Sequence, residues 1–373
     1  MALNRRGRMK PLLLRVLAVS IGVAVGLASV ELLLRTLEGA SERGDLRALH
    51  VARPDRRWLY GLRPGADVRI QAPVDVRYRI NDGGFRDRNH PLRKPQGVFR
   101  IVALGDSVTF GYGVEEEESY SKQLEAIFAR RSAPPRVEVL NFGVGGYNAY
   151  NEATQFADLG PSYGPDLVMV QFCINDLNDP TLHFDRQTRL ELGRLPDAAF
   201  PNAAQRLPLA PPSGPLLRLC LLLHSCARIH SQLAGLDARS TDSAALERTF
   251  APRDGPEHTT EWSWLRARYR EIAQTASEAG ARFVVLAFPF DAQLADPERR
   301  SAQRQLQQMG REEGWQAIDL LPAFREAAPS QRLLADAWHP TAAGHRLAAE
   351  VIARALRCRG LVPGERVDCD VGG

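Results

Sequence analysis

The chain has 373 residues, 44% hydrophobic and 25% charged, with a formal net charge of +4 at pH 7. That length allows one large domain with insertions or two modest ones, and the composition is that of a folded rather than a disordered or fibrous chain. A charge this small, carried by scattered arginines without interleaved aromatics, argues against a nucleic-acid partner.

At the start, Arg5, Arg6, Arg8 and Lys10 precede an apolar run, residues 12–34, whose only charges are Arg15 and Glu31. At about 1.5 Å per residue the run reaches across roughly 30 Å of hydrocarbon. Residues 1–35 therefore read as a cytoplasmic tip and signal anchor, one N-terminal transmembrane helix. The positive-inside rule then has everything after Arg35 exported. The competing reading is a cleaved signal peptide, because the uninterrupted stretch 16–30 is short and Gly26-Leu27-Ala28 offers a small-residue cleavage site.

Residues 36–98 are polar and arginine-rich, a stalk or N-terminal elaboration. Their one alternating piece, 68–80, suggests a strand or hairpin that ends at the turn Asn81-Asp82-Gly83-Gly84. From residue 99 the pattern becomes regular: strand 100–104, helix 120–131, strand 137–140, helix 150–159, strand 167–172. Such alternation predicts a parallel sheet covered by helices on both faces. Regularity stops over 178–259, an insertion with several prolines and one apolar helix near 216–227, to be read as a packed cap, a lid or a surface leaning on the membrane.

The alternation resumes with helix 261–280, whose Leu265, Tyr269, Ile272 and Ala276 share one face. Strand 283–288, a polar helix 298–314 and strand 315–320 follow. The last helix is expected to open at His339-Pro340-Thr341 with the proline in its first turn, burying Leu347, Val351, Ile352, Ala355 and Leu356. Five strands and about five helices make residues 99–358 one doubly wound domain, with 359–373 as a tail.

The five cysteines suit an exported protein. Cys358 and Cys369 bracket a tail flexible enough to close a bridge worth about 2–3 kcal/mol. Cys220 and Cys226 are about 9 Å apart along a continuous helix, too far to pair. Cys173 is expected as a free thiol.

Four blocks carry the chemistry. Gly105-Asp106-Ser107 ends the first strand, Asn141 to Gly146 follows the second, Asn175-Asp176 the third, and Asp336-Ala337-Trp338-His339 lies near the end. A serine hydroxyl needs a base to act as a nucleophile, and His339 is the candidate; Asp336, three residues earlier, can hold its tautomer. The Ser107 and Gly146 N–H groups and the Asn175 amide are candidate donors to an oxyanion. Asp106, Asp176 and Asp319 read better as turn or loop caps. Ser119-Tyr120-Ser121-Lys122 matches Ser-x-x-Lys, but Ser119 suits a helix cap. Cys220, His224, Cys226 and His230 have spacings that can bind zinc, yet the two pairs are rotated apart on a helix. His345 reads as a solvated helix residue.

In this order, the blocks resemble the SGNH hydrolases of the GDSL esterase and lipase superfamily, over residues 99–356. The resemblance implies a three-layer α/β/α sandwich with a flavodoxin-like five-stranded parallel sheet. It implies Ser107 as nucleophile, Asp336 and His339 as its partners, and an oxyanion hole of Ser107, Gly146 (rather than Gly143) and Asn175, with no cofactor or metal. Cys173 stands where the family usually has glycine. The anchor, the stretch Asn81 to Asp87 and the insertion look like a membrane-anchored bacterial subgroup. The reading is a serine esterase acting on an ester-bearing small molecule or glycan, removing O-acyl, acetyl-like groups. The same residues would serve an O-acyltransferase of an exported polysaccharide, and a non-catalytic glycan-binding protein could keep the fold.

Overall fold

The structure, a computed structural model, describes residues 46–53, 55–70, 75–130, 135–177, 259–364 and 367–368, with isolated positions between 15 and 29. Most of the expected anchor, the insertion up to residue 258 with its cysteines and histidines, and Cys369 lie outside the described residues. Among the described residues no helix is long and apolar enough to cross a membrane.

Two antiparallel hairpins come first. β1 (His50–Ala52) pairs with β2 (Tyr60–Leu62), and β3 (Asp67–Ile70) with β4 (Val76–Arg79). Then β5 (Val98–Leu104), β6 (Arg136–Asn141), β7 (Leu167–Phe172), β8 (Arg282–Ala287) and β9 (Gln316–Asp319) form one parallel sheet in the order β6-β5-β7-β8-β9. Val102 sits opposite Leu140 on one side and Val168 on the other. Runs as apolar as 101–104 and 167–170 make strands because helices cover both faces and leave no solvated side for alternation to mark.

One helical layer is α3 (Ala149–Leu159), α4 (Thr259–Glu278) and α6 (Ser301–Glu313), which bury Phe156, Leu265, Tyr269 and Leu306 against Val102, Val170 and Val285. The other is α2 (Tyr120–Ala129), α7 (Leu321–Ala327) and α8 (Ala342–Cys358), which bury Leu124, Phe324 and Leu356 against Ile101, Met169 and Leu286. Each large side chain so buried contributes roughly 1.5–3 kcal/mol. This is the expected three-layer sandwich. Short helices α1 (Ser107–Phe110) and α5 (Asp291–Leu294) cap strand ends.

Three local expectations need correction. Pro340 is not in the first turn of α8: it bridges Leu334, and Thr341 is the cap, its hydroxyl accepting the Gly344 N–H. Helix α7 was not anticipated, since it has only seven residues with Pro322 near its start. His345 is fully buried rather than solvated: its Nδ1 accepts the Tyr120 N–H at 3.1 Å. That imidazole, not the Ser119 side chain, satisfies the opening of α2. Cys358 is disulfide-bonded, and Cys173 is free and buried.

Residues 46–98 are built onto the domain. Leu49, Tyr60, Leu62, Val76, Tyr78 and Ile80 form one apolar cluster with Phe110, Val144, Tyr147 and Tyr150. The hairpins thus pack on the loops that leave β5 and β6.

Candidate active site

β5 lies between β6 and β7, which the chain reaches by connections running in opposite directions, so the sheet order reverses beside β5. Open α/β sheets bind ligands at such a switch point, beyond the carboxyl ends of the strands. Ser107 follows β5, Gly146 follows β6 and Asn175 follows β7, so the three loops meet there.

Ser107 is the first residue of α1. Asp106 precedes it as the cap, its Oδ1 accepting the Val108 N–H at 2.9 Å, which turns the chain sharply out of β5. The turn leaves the hydroxyl half-buried. His339 Nε2 lies 2.8 Å from Ser107 Oγ, and His339 Nδ1 lies 2.7 Å from Asp336 Oδ2. Asp336 Oδ1 meanwhile accepts the N–H groups of Trp338 and His339 at 3.1 and 2.9 Å, closing the Asp-x-x-His turn. Partial burial raises the Asp336 carboxyl, but hydrogen bonds and charge from His339, with those N–H groups, outweigh it and hold it at about 2. The carboxylate is therefore ionised and can only accept. Nδ1 must carry a proton, so in the neutral ring Nε2 is the acceptor and the serine O–H its donor. Tyr112, which the sequence did not single out, tilts its ring over His339 with centroids 4.6 Å apart; Trp338 flanks it at 5.9 Å.

The donor side is equally organised. Asn141 Oδ1 accepts the Gly143 N–H, starting the loop, and a Cβ at Gly143 would stand 2.3 Å from Phe110 N. Gly143 therefore serves the close packing of two loops, whereas Gly146, at φ +78°, turns the chain toward the cleft. The Ser107 and Gly146 N–H groups meet no acceptor among the described residues. Asn175 donates one amide hydrogen to the Tyr147 carbonyl at 2.7 Å, which fixes the side chain and leaves its second hydrogen free. Cys173 does not disturb this loop, for its N–H donates to Asp176 Oδ2 at 2.9 Å and its side chain joins the core.

Behind the cleft lies a buried polar floor. Asp176 also accepts from Tyr269 O–H at 3.1 Å, and Glu152 is fully buried with neither carboxyl oxygen partnered among the described residues. Burial above all, with the charge of Asp106 and, for Glu152, that of Asp176, pushes both carboxyls well above the usual range. Asp319 caps the Leu321 N–H and meets Arg300, away from His339. Lys122 of the Ser-x-x-Lys match bonds Asp87, Glu125 and the Val139 carbonyl, a structural set. Among the described residues no three acidic, histidine or cysteine side chains group to hold a metal.

Residues 103–347 match the sequence model of the GDSL-like Lipase/Acylhydrolase family. Comparison with curated proteins finds no match. Among solved structures, the chain is similar to Axe2, an acetylxylan esterase from Geobacillus stearothermophilus: 14% identity over 69% of this chain and 93% of that one, TM-score 0.41. A putative lipolytic protein of the G-D-S-L family from Desulfitobacterium hafniense DCB-2 matches at 13% identity over 69% and 99%, TM-score 0.39. LAE5, an alpha/beta hydrolase enzyme from the metagenome of Lake Arreo, Spain, matches at 17% over 71% and 97%, TM-score 0.40.

Proposed function

Because the chain belongs to the GDSL-like lipase/acylhydrolase family and is thus a serine hydrolase acting on esters, we propose that it cleaves short O-acyl groups from a glycan through an acyl-enzyme on Ser107. The observation that carries this reading is the unbroken chain from Ser107 Oγ through His339 to Asp336, at 2.8 and 2.7 Å.

Ser107 Oγ attacks the ester carbonyl carbon while its proton passes to His339 Nε2, and Asp336 stabilises the imidazolium. The carbonyl oxygen becomes an oxyanion held by the Ser107 and Gly146 N–H groups and the free Asn175 amide hydrogen, each donor worth about 3 kcal/mol in the transition state. The carbon–oxygen bond to the alcohol breaks as His339 returns the proton to it. Water, deprotonated by His339, then attacks the acyl-enzyme, releasing the carboxylic acid and the serine hydroxyl. The rings of Tyr112 and Trp338 beside His339 favour an alcohol with a flat apolar face, such as a sugar ring. The charge pattern of residues 5–34 supports a site held at the outer face of a bacterial inner membrane.

The test is hydrolysis of 4-nitrophenyl acetate against the laurate by the full-length chain in mild detergent, with an acetylated oligosaccharide as natural-type substrate. Acetate preference and acetyl release from the sugar are expected. Laurate preference would overturn the short-acyl reading, and acetyl release appearing only with a second sugar as acceptor would turn hydrolysis into transfer.

A further inference from the structure

The segment Asn81 to Asp87, Asn-Asp-Gly-Gly-Phe-Arg-Asp, plays no part in the chemistry above, yet it touches both loops that supply backbone donors. Asn81 Oδ1 accepts the N–H groups of Gly83 and Phe85, each at 2.9 Å, folding a turn that presents the next three side chains to the domain. Phe85 stacks on Phe142 with centroids 4.2 Å apart. Asp87 Oδ2 accepts the Asn141 N–H at 3.0 Å, and its Oδ1 binds Lys122, which also donates to the Val139 carbonyl at 2.5 Å. These contacts fix the end of β6 and the start of the loop to Gly146.

Arg86 points the other way. It is fully buried, and its hydrogen bonds among the described residues go to backbone carbonyls rather than to a carboxylate. Its guanidinium donates instead to three consecutive bends of the loop after Ser107: the carbonyls of Phe110 at 3.1 Å, Gly111 at 2.5 Å and Val114 at 2.7 Å. It lies over the Tyr78 ring, 4.4 Å from the centroid, and Tyr78 O–H accepts the Gly113 N–H at 2.9 Å. The same loop folds back onto the nucleophile's own carbonyl, since the Gly111 and Tyr112 N–H groups donate to Ser107 O at 3.1 and 2.9 Å. It also carries Tyr112 over His339. A buried cation spent on loop carbonyls is expensive unless its geometry is held, and five planar donors suit several carbonyls where an ammonium would not.

We propose that Asn81 to Asp87 is a brace that sets the spacing of the two backbone oxyanion donors, with Arg86 as the positioning residue for Ser107. Arg86 touches no reacting atom and acts through the 110–114 loop. The proposal rests on the esterase reading above. It makes Arg86 matter to the transition state rather than to substrate capture, because donors displaced by a fraction of an ångström still allow binding but no longer meet the oxyanion.

The experiment compares full-length wild type, Ser107→Ala, Arg86→Met and Arg86→Lys on 4-nitrophenyl acetate. Rates are taken per folded molecule, with the folded fraction from near-ultraviolet circular dichroism. Arg86→Met is expected to lose about 100-fold in kcat with KM within about twofold. Arg86→Lys, which keeps the charge and part of the donor set, is expected to recover about tenfold of that. Should Arg86→Met fail to fold, Arg86→Lys alone decides: about tenfold below wild type in kcat at unchanged KM supports the brace. Wild-type kcat in either folded variant, or a loss confined to KM, overturns it. Wild type no faster than Ser107→Ala would instead bring down the esterase reading itself.

Discussion

Two histidines six positions apart set the open rim of the cleft against the buried floor beneath it. His339 lies in the cleft with a hydroxyl on one nitrogen and a carboxylate on the other. His345 is sealed between α8 and α2, accepting one backbone N–H, and burial, with the nearby Arg86 and His339, pulls it down to about 3. The carboxyl groups divide likewise: Asp336 is held at about 2, whereas burial pushes Asp176 and Glu152, deeper under the same loops, well above the usual range. Residue type alone therefore assigns no chemistry. A group works where it keeps a partner and access to substrate, and it becomes packing where it loses both.

The sharpest break of this contrast comes at the rim. Ser107→Ala is expected to lower kcat by about 10⁴-fold or more while leaving the thermal midpoint near wild type. Asp336→Asn leaves the shape but not the proton order, because an amide can donate to Nδ1 and reverse the tautomer. A loss of about 10⁴-fold in kcat is expected, and retention of a tenth of the activity would show that another group orients His339. Asn175→Ala removes one proposed oxyanion donor and should cost about 10²–10³ in kcat, with little change in KM.

The floor should answer in stability instead. The folded value of His345 lies below its ordinary 6.5, so between about 6.5 and 3 the unfolded chain binds a proton that the folded chain refuses. Stability must then fall with acid through that window, by up to about 1.4 kcal/mol per pH unit. His345→Asn keeps an acceptor for the Tyr120 N–H but cannot titrate; its thermal midpoint should fall less than wild type's between pH 6.5 and 4, and equal losses would contradict the burial assignment. Glu152 has the opposite sign. Its folded value is raised, so the stability it lends is complete at low pH and is lost as pH rises past the ordinary carboxyl value of 4.5. Glu152→Gln is expected to gain on wild type in thermal midpoint at pH 8 relative to pH 5, with kcat within about twofold.

The residues of the rim were legible in the sequence because each carries a local mark: a serine at a strand end, an Asp-x-x-His turn that closes its own hydrogen bonds, a glycine free to adopt positive φ. The sandwich was legible for a related reason, since buried strands such as 167–172 leave an apolar signature no other element shares. The floor was not. Nothing local distinguishes His345 from a solvated helix residue, because what buries it is the Tyr120 N–H, 225 positions away in sequence. Arg86 was hidden by the same distance, its acceptors being carbonyls that leave no trace in side-chain pattern. Pro340 misled because proline favours first helical turns in general, while here Thr341 supplies the better cap.

On the proposed mechanism, Ser107 is a nucleophile made reactive by His339 and Asp336. The most direct measurement is the intact mass of the full-length chain after reaction with a fluorophosphonate, followed over time in wild type, Ser107→Ala and Asp336→Asn. One phosphonyl adduct is expected on wild type, none on Ser107→Ala, and the same adduct formed far more slowly on Asp336→Asn. An adduct on Ser107→Ala, or none on folded wild type, would contradict it.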